Sequence, residues 1–405
     1  MNEKTRQYLA ETHKWTQEEL DRCLRFWLNH GADRQHGGMY TCLDRTGQLY
    51  STDKSVWMQG RTAWTFSYLC NIYGEREEWR ATAESCLDFL ERHCFNPKVP
   101  SRLLFTVTGD GRPLRQRRYH ASESFYAMAN AEYYLLTGKP ERLERARRAY
   151  NLIWDLNHGA PDPTGLGPKT EPETRQMRAL GSPMIYLNLT AVMRRADSDP
   201  AANEIYSSRA AECVRDIVTY HYRPDLKCTL EAVGLNGEFY DKFSAGRVVN
   251  PGHSIECAWF MMEEANRIGD GQLYETAENI LKDAYELGWD KEFGGLLYMV
   301  DMMGWPPEPY EHDMKLWWPH NETLIAALMA YRDTGKAEYL EMFEETLTYS
   351  QRVFSDPEYG EWFGYLRRDG RPTEPPSKGT IYKGPFHLPR MLIIVEQIIA
   401  ELLNA

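Results

Sequence analysis

The sequence has little positive charge relative to its negative charge, and it contains no long apolar run. Its 405 residues include 47 Lys and Arg against 59 Asp and Glu, a formal net charge of −12. Binding to nucleic acid or to an anionic membrane calls for clustered Lys and Arg, so neither is expected as a partner. No stretch approaches the ~18 apolar residues of a membrane span, and the first seven residues lack the apolar core of a signal peptide. We therefore expect a cytoplasmic protein that acts on a neutral small molecule.

The motifs of several common sites are also missing. There is no HExxH motif, no EF-hand loop and no facial-triad spacing, so we expect no metal ion. The stretch Gly165-Leu-Gly-Pro-Lys169 lacks the ending of a P-loop, and no GxSxG elbow is present. The eight cysteines form no CxxC pair in a chain too large to need disulfides, which predicts reduced and mostly buried thiols.

Three stretches share the pattern Asp-x-x-x-Gly followed by aromatic and apolar residues. They begin at Asp33, Asp290 and Asp356, and the last two lie about 66 residues apart. Each continues with alternating residues and a turn signal, at Gly47 and Gly370 for example, which predicts a short hairpin that closes on glycine. Weaker relatives of this hairpin end at Gly111 and Gly237.

Pairs of helical patterns lie between the predicted hairpins. The first member of each pair is apolar nearly all round, which is typical of a buried helix. The second member mixes charges with a single apolar stripe, which predicts an outer helix. Patterns of the first kind include residues 57–69, 250–269, 314–335 and 386–403, and patterns of the second kind include residues 78–93, 141–156, 272–287 and 337–354.

The repeat divides the chain into about six pairs, which can close into a ring of inner and outer helices. The last inner pattern ends without an outer partner, and the amphipathic pattern at residues 4–29 supplies one. We therefore predict an all-α (α/α)6 barrel with short β-hairpins at one mouth, as a single domain of residues 1–405. The Pro-rich segment 160–173 is expected to replace one hairpin with a loop. Two separate helical domains are the alternative, but no Pro/Ser-rich linker interrupts the series.

Polar residues near the starts of the inner helices are the candidates for a functional site, because these helices begin at one mouth of the ring. Arg61, Glu256 and Glu322 lie at the same distance before the glycine that ends an inner helix. Buried charges must be paired or used. His253 lies one helical turn before Glu256, which would place a carboxylate near enough to hold its ring and tune its basicity.

Two further histidines and several aromatic residues belong to the same mouth. His387 stands at the start of the last inner helix, and the repeat predicts that it faces His253 across the cavity. A packed core position is the alternative for either histidine. His320 is too close to Glu322 in sequence to share its helical face, and it is predicted either to contact a ligand or to pack in the core. Aromatic residues can stack on a sugar, and the candidates for substrate binding are Trp57 and Trp318.

Six longer motifs are recognisable in the chain. They are Gly37-Gly-Met-Tyr-Thr-Cys-Leu-Asp44, Val56-Trp-Met-Gln-Gly-Arg61, Asn250-Pro-Gly-His-Ser-Ile-Glu256, Lys315-Leu-Trp-Trp-Pro-His320, Asp356-Pro-Glu-Tyr-Gly-Glu-Trp-Phe-Gly-Tyr-Leu366 and Phe386-His-Leu-Pro-Arg390. With these motifs the sequence closely resembles the N-acylglucosamine 2-epimerase family, from about Phe26 to the C-terminus. The resemblance implies an (α/α)6 barrel that acts on free sugars.

The same resemblance implies roles for the candidate residues. His253 and His387 would be the acid/base pair, with Arg61, Glu256 and Glu322 around the reacting end of the sugar. It also implies a homodimer and stimulation by ATP, which is not consumed. The stretch from 169 to 178 resembles the loop implicated in nucleotide binding, and the residues expected to bind are Lys169, Arg175 and Arg178.

A departure within the third inner helix bears on the substrate. Family members that act on unmodified sugars tend to carry a His after a Met in this helix, whereas here Met184 is followed by Ile185. The resemblance therefore favours the branch that acts on acylated amino sugars, and the expected substrates are N-acetylglucosamine and N-acetylmannosamine.

The expected reaction exchanges the proton at C2 of the open-chain sugar, without a metal or redox cofactor. This proton becomes removable when the developing enolate oxygen is stabilised, here by Arg61, and two histidines on opposite walls can deprotonate one face and reprotonate the other. Glu256 and Glu322 would orient His253 or bind sugar hydroxyls. The alternatives are a same-fold epimerase or aldose-ketose isomerase for mannose, glucose or cellobiose, and a non-catalytic protein of the renin-binding type. A glycosidase of this fold would need a dominant carboxylate pair instead of two histidines.

Overall fold

Thirteen α-helices form most of the part of the chain that the computed structural model describes, residues 1–117 and 119–404. In chain order they are α1 (Glu3–His30), α2 (Val56–Tyr73), α3 (Glu77–His93), α4 (Ala121–Thr137), α5 (Pro140–Asn157), α6 (Gly181–Ala196), α7 (Pro200–Asp216), α8 (Ser244–Arg247), α9 (Pro251–Ile268), α10 (Gly271–Gly288), α11 (Trp317–Thr334), α12 (Ala337–Val353) and α13 (His387–Asn404). The bounds agree with the predicted helical patterns to within a few residues.

Two kinds of helix alternate along the chain, as the sequence predicts. In α11 every residue from Trp317 to Ala330 is buried, so this helix has no polar face to present to solvent. In α12 the buried residues follow one stripe and the remaining positions carry charged and polar side chains. The other long helices divide in the same way into an inner set, α2, α4, α6, α9, α11 and α13, and an outer set, α1, α3, α5, α7, α10 and α12.

The inner helices pack side by side in chain order, and each packs against one outer helix. The N-terminal helix α1 packs on the C-terminal helix α13, so the predicted partnership of the two chain ends is confirmed. The ring closes between α2 and α13, where the Trp64 and Phe386 rings lie 5.3 Å apart and the Tyr73 hydroxyl donates to Glu396. The (α/α)6 barrel is thereby confirmed.

Short antiparallel strands lie at the mouth where the inner helices begin. They are β1 (Lys54–Ser55), β2 (Phe95–Asn96), β3 (Val99–Leu103), β4 (Thr106–Val107), β5 (Pro113–Arg115), β6 (Arg178–Ala179), β7 (Tyr222–Arg223), β8 (Cys228–Thr229), β9 (Ala232–Val233), β10 (Val248–Val249), β11 (Val300–Asp301), β12 (Lys315–Leu316) and β13 (Tyr365–Leu366). Strands β1, β4 and β5 form a three-stranded sheet in that order. The remaining strands form the two-stranded sheets β2-β3, β6-β9, β7-β8, β10-β11 and β12-β13. Because β1, β10 and β12 lead directly into inner helices, these pairings tie neighbouring repeats together around the mouth.

A buried lysine explains the repeated Asp-x-x-x-Gly pattern. In the second copy, Lys315 on β12 contacts Asp290 Oδ2 at 2.9 Å and donates to the carbonyls of Gly294 and Gly295. A Cβ at Gly295, whose φ is +74°, would lie 2.4 Å from the Tyr349 ring, so only glycine fits there. The other two copies form matching ion pairs, Asp33 with Lys54 and Asp356 with Lys378. Each ion pair fixes a loop at the mouth, and Lys54 and Lys315 do so directly before an inner helix.

Three smaller predictions are also resolved. Residues 158–177 contain neither helix nor strand, so the predicted replacement loop is confirmed. All eight cysteines are buried and unbridged, as expected. None of the helices in the described part of the chain has the length and apolar character that crossing a membrane requires.

Candidate active site

A cavity of about 410 Å³ opens at the mouth where the inner helices begin. Its wall includes six of the eight residues predicted for catalysis and substrate binding, namely Trp57, Arg61, His253, Glu256, Trp318 and His387. The convergence follows from the register of the barrel, because Arg61, Glu256 and Glu322 all lie in the second turn of their inner helices. The two remaining predicted residues, Glu322 and His320, are fully buried behind the wall.

His253 lies in the first turn of α9, where Asn250 caps the helix by accepting from the His253 backbone N–H. Its Nδ1 is 2.8 Å from Glu231 Oε1, in the segment between β8 and β9. Burial alone would lower the pKa of His253, but the charge and hydrogen bond of Glu231, with a smaller contribution from Glu256, raise it above its ordinary value. With Nδ1 held by the carboxylate, Nε2 is the ring nitrogen left for chemistry in the cavity.

The predicted partner of His253 is therefore corrected. The carboxylate that holds the ring is Glu231, not Glu256 one turn further along α9. Glu256 instead accepts from Arg390 Nη2 at 3.1 Å. Glu256 shares a helical face with His253 and is near enough to act on it through its charge. A hydrogen bond requires a side chain that approaches the edge of the ring, and Glu231 in the hairpin is that side chain.

His387 is the first residue of α13, and its Nδ1 lies 2.7 Å from Glu322 Oε1. Glu322 was expected to orient His253 or to bind sugar hydroxyls, and that expectation is wrong because both of its oxygens are engaged inside the protein. Oε1 contacts His387 and Arg390, and Oε2 accepts from the Trp259 indole at 2.9 Å. Burial, reinforced by the charges of Arg61 and Arg390, lowers the pKa of His387 to about 3 despite the hydrogen bond to Glu322. At neutral pH His387 is thus neutral, and His253 is the more basic of the two histidines.

Arg390 joins the two carboxylates beneath His387. Its Nη2 donates to Glu256 and, at 2.6 Å, to Glu322. Burial and the nearby charge of Glu322 raise the pKa of Glu256 to about 7, whereas the charge of Arg390 and the hydrogen bond from His387 lower the pKa of Glu322 against the effect of burial. Glu256, Glu322 and His387 have the residue types and spacing of a metal site. Arg390 donates to both carboxylates, so its guanidinium competes with a cation for their oxygen atoms.

Arg61 enters the cavity among aromatic rings. Its guanidinium carbon lies 4.2 Å from the Phe125 ring, 4.6 Å from the Phe386 ring and 4.9 Å from the Trp57 ring. In residues 1–117 and 119–404 its Nε, which is buried, has no hydrogen-bond acceptor. Burial lowers the pKa of Arg61 to about 9, so the group remains cationic at neutral pH. A positive donor held by aromatic rings can stabilise an oxyanion that forms in the cavity.

The two tryptophans line the cavity from different inner helices, Trp57 from α2 and Trp318 from α11. Trp318 packs against both histidines, with ring centroids 5.1 Å from His253 and 5.8 Å from His387. Trp57 donates from Nε1 to the Ile381 carbonyl at 3.0 Å, which fixes its indole beside Arg61. Both indoles line the cavity, and their contact with a substrate remains a prediction.

His320 does not belong to the cavity, and its predicted contact with a ligand is wrong. Its Nδ1 lies 2.7 Å from the Leu316 carbonyl, and its Nε2 accepts from the Leu296 backbone N–H at 2.9 Å. Full burial lowers the pKa of His320 to about 3. The neutral ring therefore ties a mouth loop to the start of α11.

The residues predicted for nucleotide binding lie in or beside the replacement loop. Arg175 stacks on Phe243 at 3.5 Å, and Arg178 donates to the Leu235 carbonyl. Arg175 and Phe243 also line a depression of about 480 Å³ whose lining residues differ from those of the central cavity. Lys169 is exposed. Nucleotide binding at this place remains a prediction.

Sequence reasoning missed the roles of Glu231 and Arg390. Arg390 stands in the last of the recognised motifs, one helical turn after His387, and this spacing was the available signal. Glu231 is the one charged residue between Cys228 and Val233, in a hairpin whose other side chains are apolar or small. A charge in such a segment indicates a partner, although the spacing does not identify it.

Comparisons with known proteins agree with this geometry. The family described as N-acylglucosamine 2-epimerase (GlcNAc 2-epimerase) matches residues 38–384. The N-acylglucosamine 2-epimerase of Mus musculus is 37% identical over 408 residues, which cover 99% of this chain and 95% of that protein. The one of Homo sapiens is 36% identical over 99% of this chain and 93% of that protein. The cellobiose 2-epimerase of Bacteroides fragilis is 26% identical over 93% of this chain and 96% of that protein.

Solved structures show the same fold at lower identity. The cellobiose 2-epimerase of Spirochaeta thermophila superposes with a TM-score of 0.82 at 20% identity, covering 99% of this chain and 100% of that one. A D-mannose isomerase superposes with a TM-score of 0.79 at 17% identity, covering 95% and 97% of the two chains. Together with the family match over most of its length, these findings place the chain in the N-acylglucosamine 2-epimerase family.

Proposed function

We propose that the protein interconverts N-acetylglucosamine and N-acetylmannosamine by removing and returning the proton at C2 of the open-chain sugar. The observation that carries this proposal is the pair of histidines that line the cavity from two different helices, His253 on α9 and His387 on α13, each held at Nδ1 by a carboxylate. A C2 epimerase needs a base on one face of the carbon and an acid on the other. The substrate assignment rests on the similarity to the N-acylglucosamine 2-epimerases.

Deprotonation begins at the neutral histidine. Because the pKa of His387 is about 3, its Nε2 is available as a base at neutral pH. It takes the C2 proton, and the electron pair moves into the C1–C2 bond while the carbonyl oxygen at C1 becomes an oxyanion. Arg61, whose donors have no acceptor in the described part of the chain, stabilises that oxyanion.

Reprotonation comes from the other histidine. The raised pKa of His253 favours its protonated form, and in that form Nε2 delivers a proton to the opposite face of C2. The oxyanion returns its electrons, the aldehyde is restored and the configuration is inverted. The pair then holds its single proton on His387 instead of His253, which is the state that the reverse reaction requires.

The test is proton NMR of N-acetylmannosamine and of mannose, each incubated with the enzyme in D2O. The proposal expects N-acetylglucosamine to form with deuterium at C2, and mannose to react far more slowly. Turnover of mannose but not of N-acetylmannosamine would contradict the substrate and favour the isomerase or epimerase for unmodified sugars. No turnover of either sugar would favour a non-catalytic role.

Further features are part of the same proposal. The chain would fold as a single domain of residues 1–405, work in the cytoplasm as a homodimer and serve amino sugar metabolism. Chemistry would require no metal or redox cofactor, and ATP would act as an activator near Lys169, Arg175 and Arg178. The depression beside Arg175 supports the last of these, since it combines a guanidinium with aromatic rings.

A further inference from the structure

The central cavity has two chemically different sides. The ionisable groups Arg61, His253, His387 and Arg390 come from α2, α9 and α13. The facing helices α4 and α6 contribute apolar side chains to the same cavity, namely Phe125, Met128, Met184 and Ile185. This apolar wall can also cover an apolar substituent of the sugar.

Asn188 is the polar exception on the apolar wall. It lies one helical turn beyond Met184 and Ile185 on α6, so the three side chains share one face of the helix. Asn188 is half-buried and lines the cavity. No residue among 1–117 and 119–404 accepts a hydrogen bond from its amide or donates one to it. A half-buried amide that has no protein partner can donate to and accept from a ligand in the cavity.

We propose that Asn188, together with the side chains of Met184 and Ile185, forms the subsite that binds the N-acyl group at C2 of the substrate. This inference rests on the proposed function and extends it to the origin of substrate specificity. An acylamino group has one N–H donor, one carbonyl acceptor and an apolar end. The Asn188 side chain offers the matching acceptor and donor, and the neighbouring side chains offer an apolar surface.

The position of the subsite fits the proposed chemistry. The acylamino group is attached to the reacting carbon, so its site must adjoin both histidines and Arg61. Arg61 packs on Phe125, which belongs to the apolar wall, and Phe260 lines the cavity one turn beyond Glu256 on α9. The apolar wall is thus continuous with the catalytic groups.

The subsite also predicts which substituents are excluded. A free 2-amino sugar carries an ammonium group at neutral pH, and the apolar wall supplies no carboxylate to balance that charge. A 2-hydroxy sugar leaves the apolar surface uncovered. Both should bind more weakly than the N-acyl sugar.

The experiment compares binding of two unreactive open-chain alditols, N-acetylglucosaminitol and glucitol, which differ only at C2. Neither has the C1 aldehyde, so binding is measured without turnover, by the fluorescence of the tryptophans in the cavity. The wild-type protein should bind the acetamido compound more tightly. In Asn188→Leu, which keeps the branch at Cγ but removes both hydrogen-bonding atoms, this preference should fall roughly 3- to 10-fold, as expected for one lost hydrogen bond, while binding of glucitol changes less than about 2-fold.

Two more variants complete the test. Ile185→Thr keeps the branch at Cβ, shortens the side chain and adds a hydroxyl to the apolar wall, and it should also lower the preference. Asn151→Leu makes the Asn-to-Leu change on the outer helix α5, where Asn151 is exposed, and it should leave both affinities unchanged.

The outcomes separate this inference from the proposed function. Equal weakening of both alditols by Asn188→Leu, or an unchanged preference in both cavity variants, would overturn the subsite. A normal preference in a protein that does not turn over N-acetylmannosamine would overturn the proposed reaction and leave the subsite standing.

Discussion

Replacing Glu231 with Gln isolates the effect of one negative charge on His253. Gln keeps the length of the side chain and a carbonyl oxygen that can accept from Nδ1–H, so the 2.8 Å contact can persist without the charge. A hydrogen bond to a charged group contributes about 1.5–3 kcal/mol, and one pKa unit corresponds to about 1.4 kcal/mol. The pKa of His253 should therefore fall by about one to two units in Glu231→Gln.

The change should appear in the pH dependence of kcat/KM. In the productive state the two histidines carry one proton between them. His253 holds this proton at pH values above the pKa of His387, which is about 3. His253 loses the proton as the pH rises through the raised pKa of His253. Activity should accordingly decline on the alkaline side with deprotonation of His253, and in Glu231→Gln this decline should begin about one to two pH units lower. The forward and reverse values must shift together, because their ratio is the equilibrium constant between two neutral sugars.

The assay measures kcat/KM with N-acetylmannosamine from about pH 5 to pH 10 for the wild type and the variant. Glu238→Gln is the matched control, since Glu238 lies in the same segment of the chain but is exposed, and its profile should not move. An alkaline limb that stays in place while activity drops equally at every pH would refute the electrostatic role. Glu231 would then act on the orientation of His253 alone.

The remaining predictions concern the acid/base pair, metal dependence and stability. In D2O, His253→Asn and His387→Asn should each exchange the C2 proton of only one epimer, and of opposite epimers; exchange of the same epimer by both would contradict the two-base scheme. EDTA should leave activity intact, and a loss that zinc or manganese restores would overturn this. Lys315→Met removes the buried positive charge that contacts the Asp290 carboxylate. The free energy of unfolding should therefore fall by about 3–5 kcal/mol. The exposed Lys291→Met is its control, and a cost below about 1 kcal/mol for Lys315→Met in urea titrations would contradict the buried ion pair.

The barrel was predictable because its signals are local and repeated. An inner helix such as α11 is apolar on all sides, and an outer helix such as α12 has one apolar stripe, so each class is visible in a window of about 18 residues. The partnership of α1 with α13 followed from the count of helices left unpaired. The Asp-x-x-x-Gly pattern marked the mouth, although the buried lysine that explains it lies up to 25 residues away in sequence.

The candidate site was predictable where it depends on helical register and not where it depends on loops. Arg61 and Glu256 were found because inner helices that start at one mouth bring equivalent positions to the same depth. Glu231 lies 22 residues before His253, in a hairpin whose path the sequence does not specify. The sequence did not decide whether His320 contacts a ligand or packs in the core. Its two hydrogen-bond partners are backbone groups, which the pattern of side chains does not reveal.

The structure also replaces a symmetric pair of histidines with an asymmetric one. The sequence places His253 and His387 at equivalent helix starts. In the fold, the His253 side chain is 28% exposed and contacts the Glu231 carboxylate. The His387 side chain is 7% exposed, and the Glu322 carboxylate that it contacts also accepts from Arg390. The proton therefore rests on His253, and the resting enzyme is ready for the epimer whose C2–H faces His387. Reaction of the opposite epimer requires this proton to move first from His253 to His387. The difference in basicity should therefore affect the proton-exchange steps between turnovers and not the equilibrium between the two sugars.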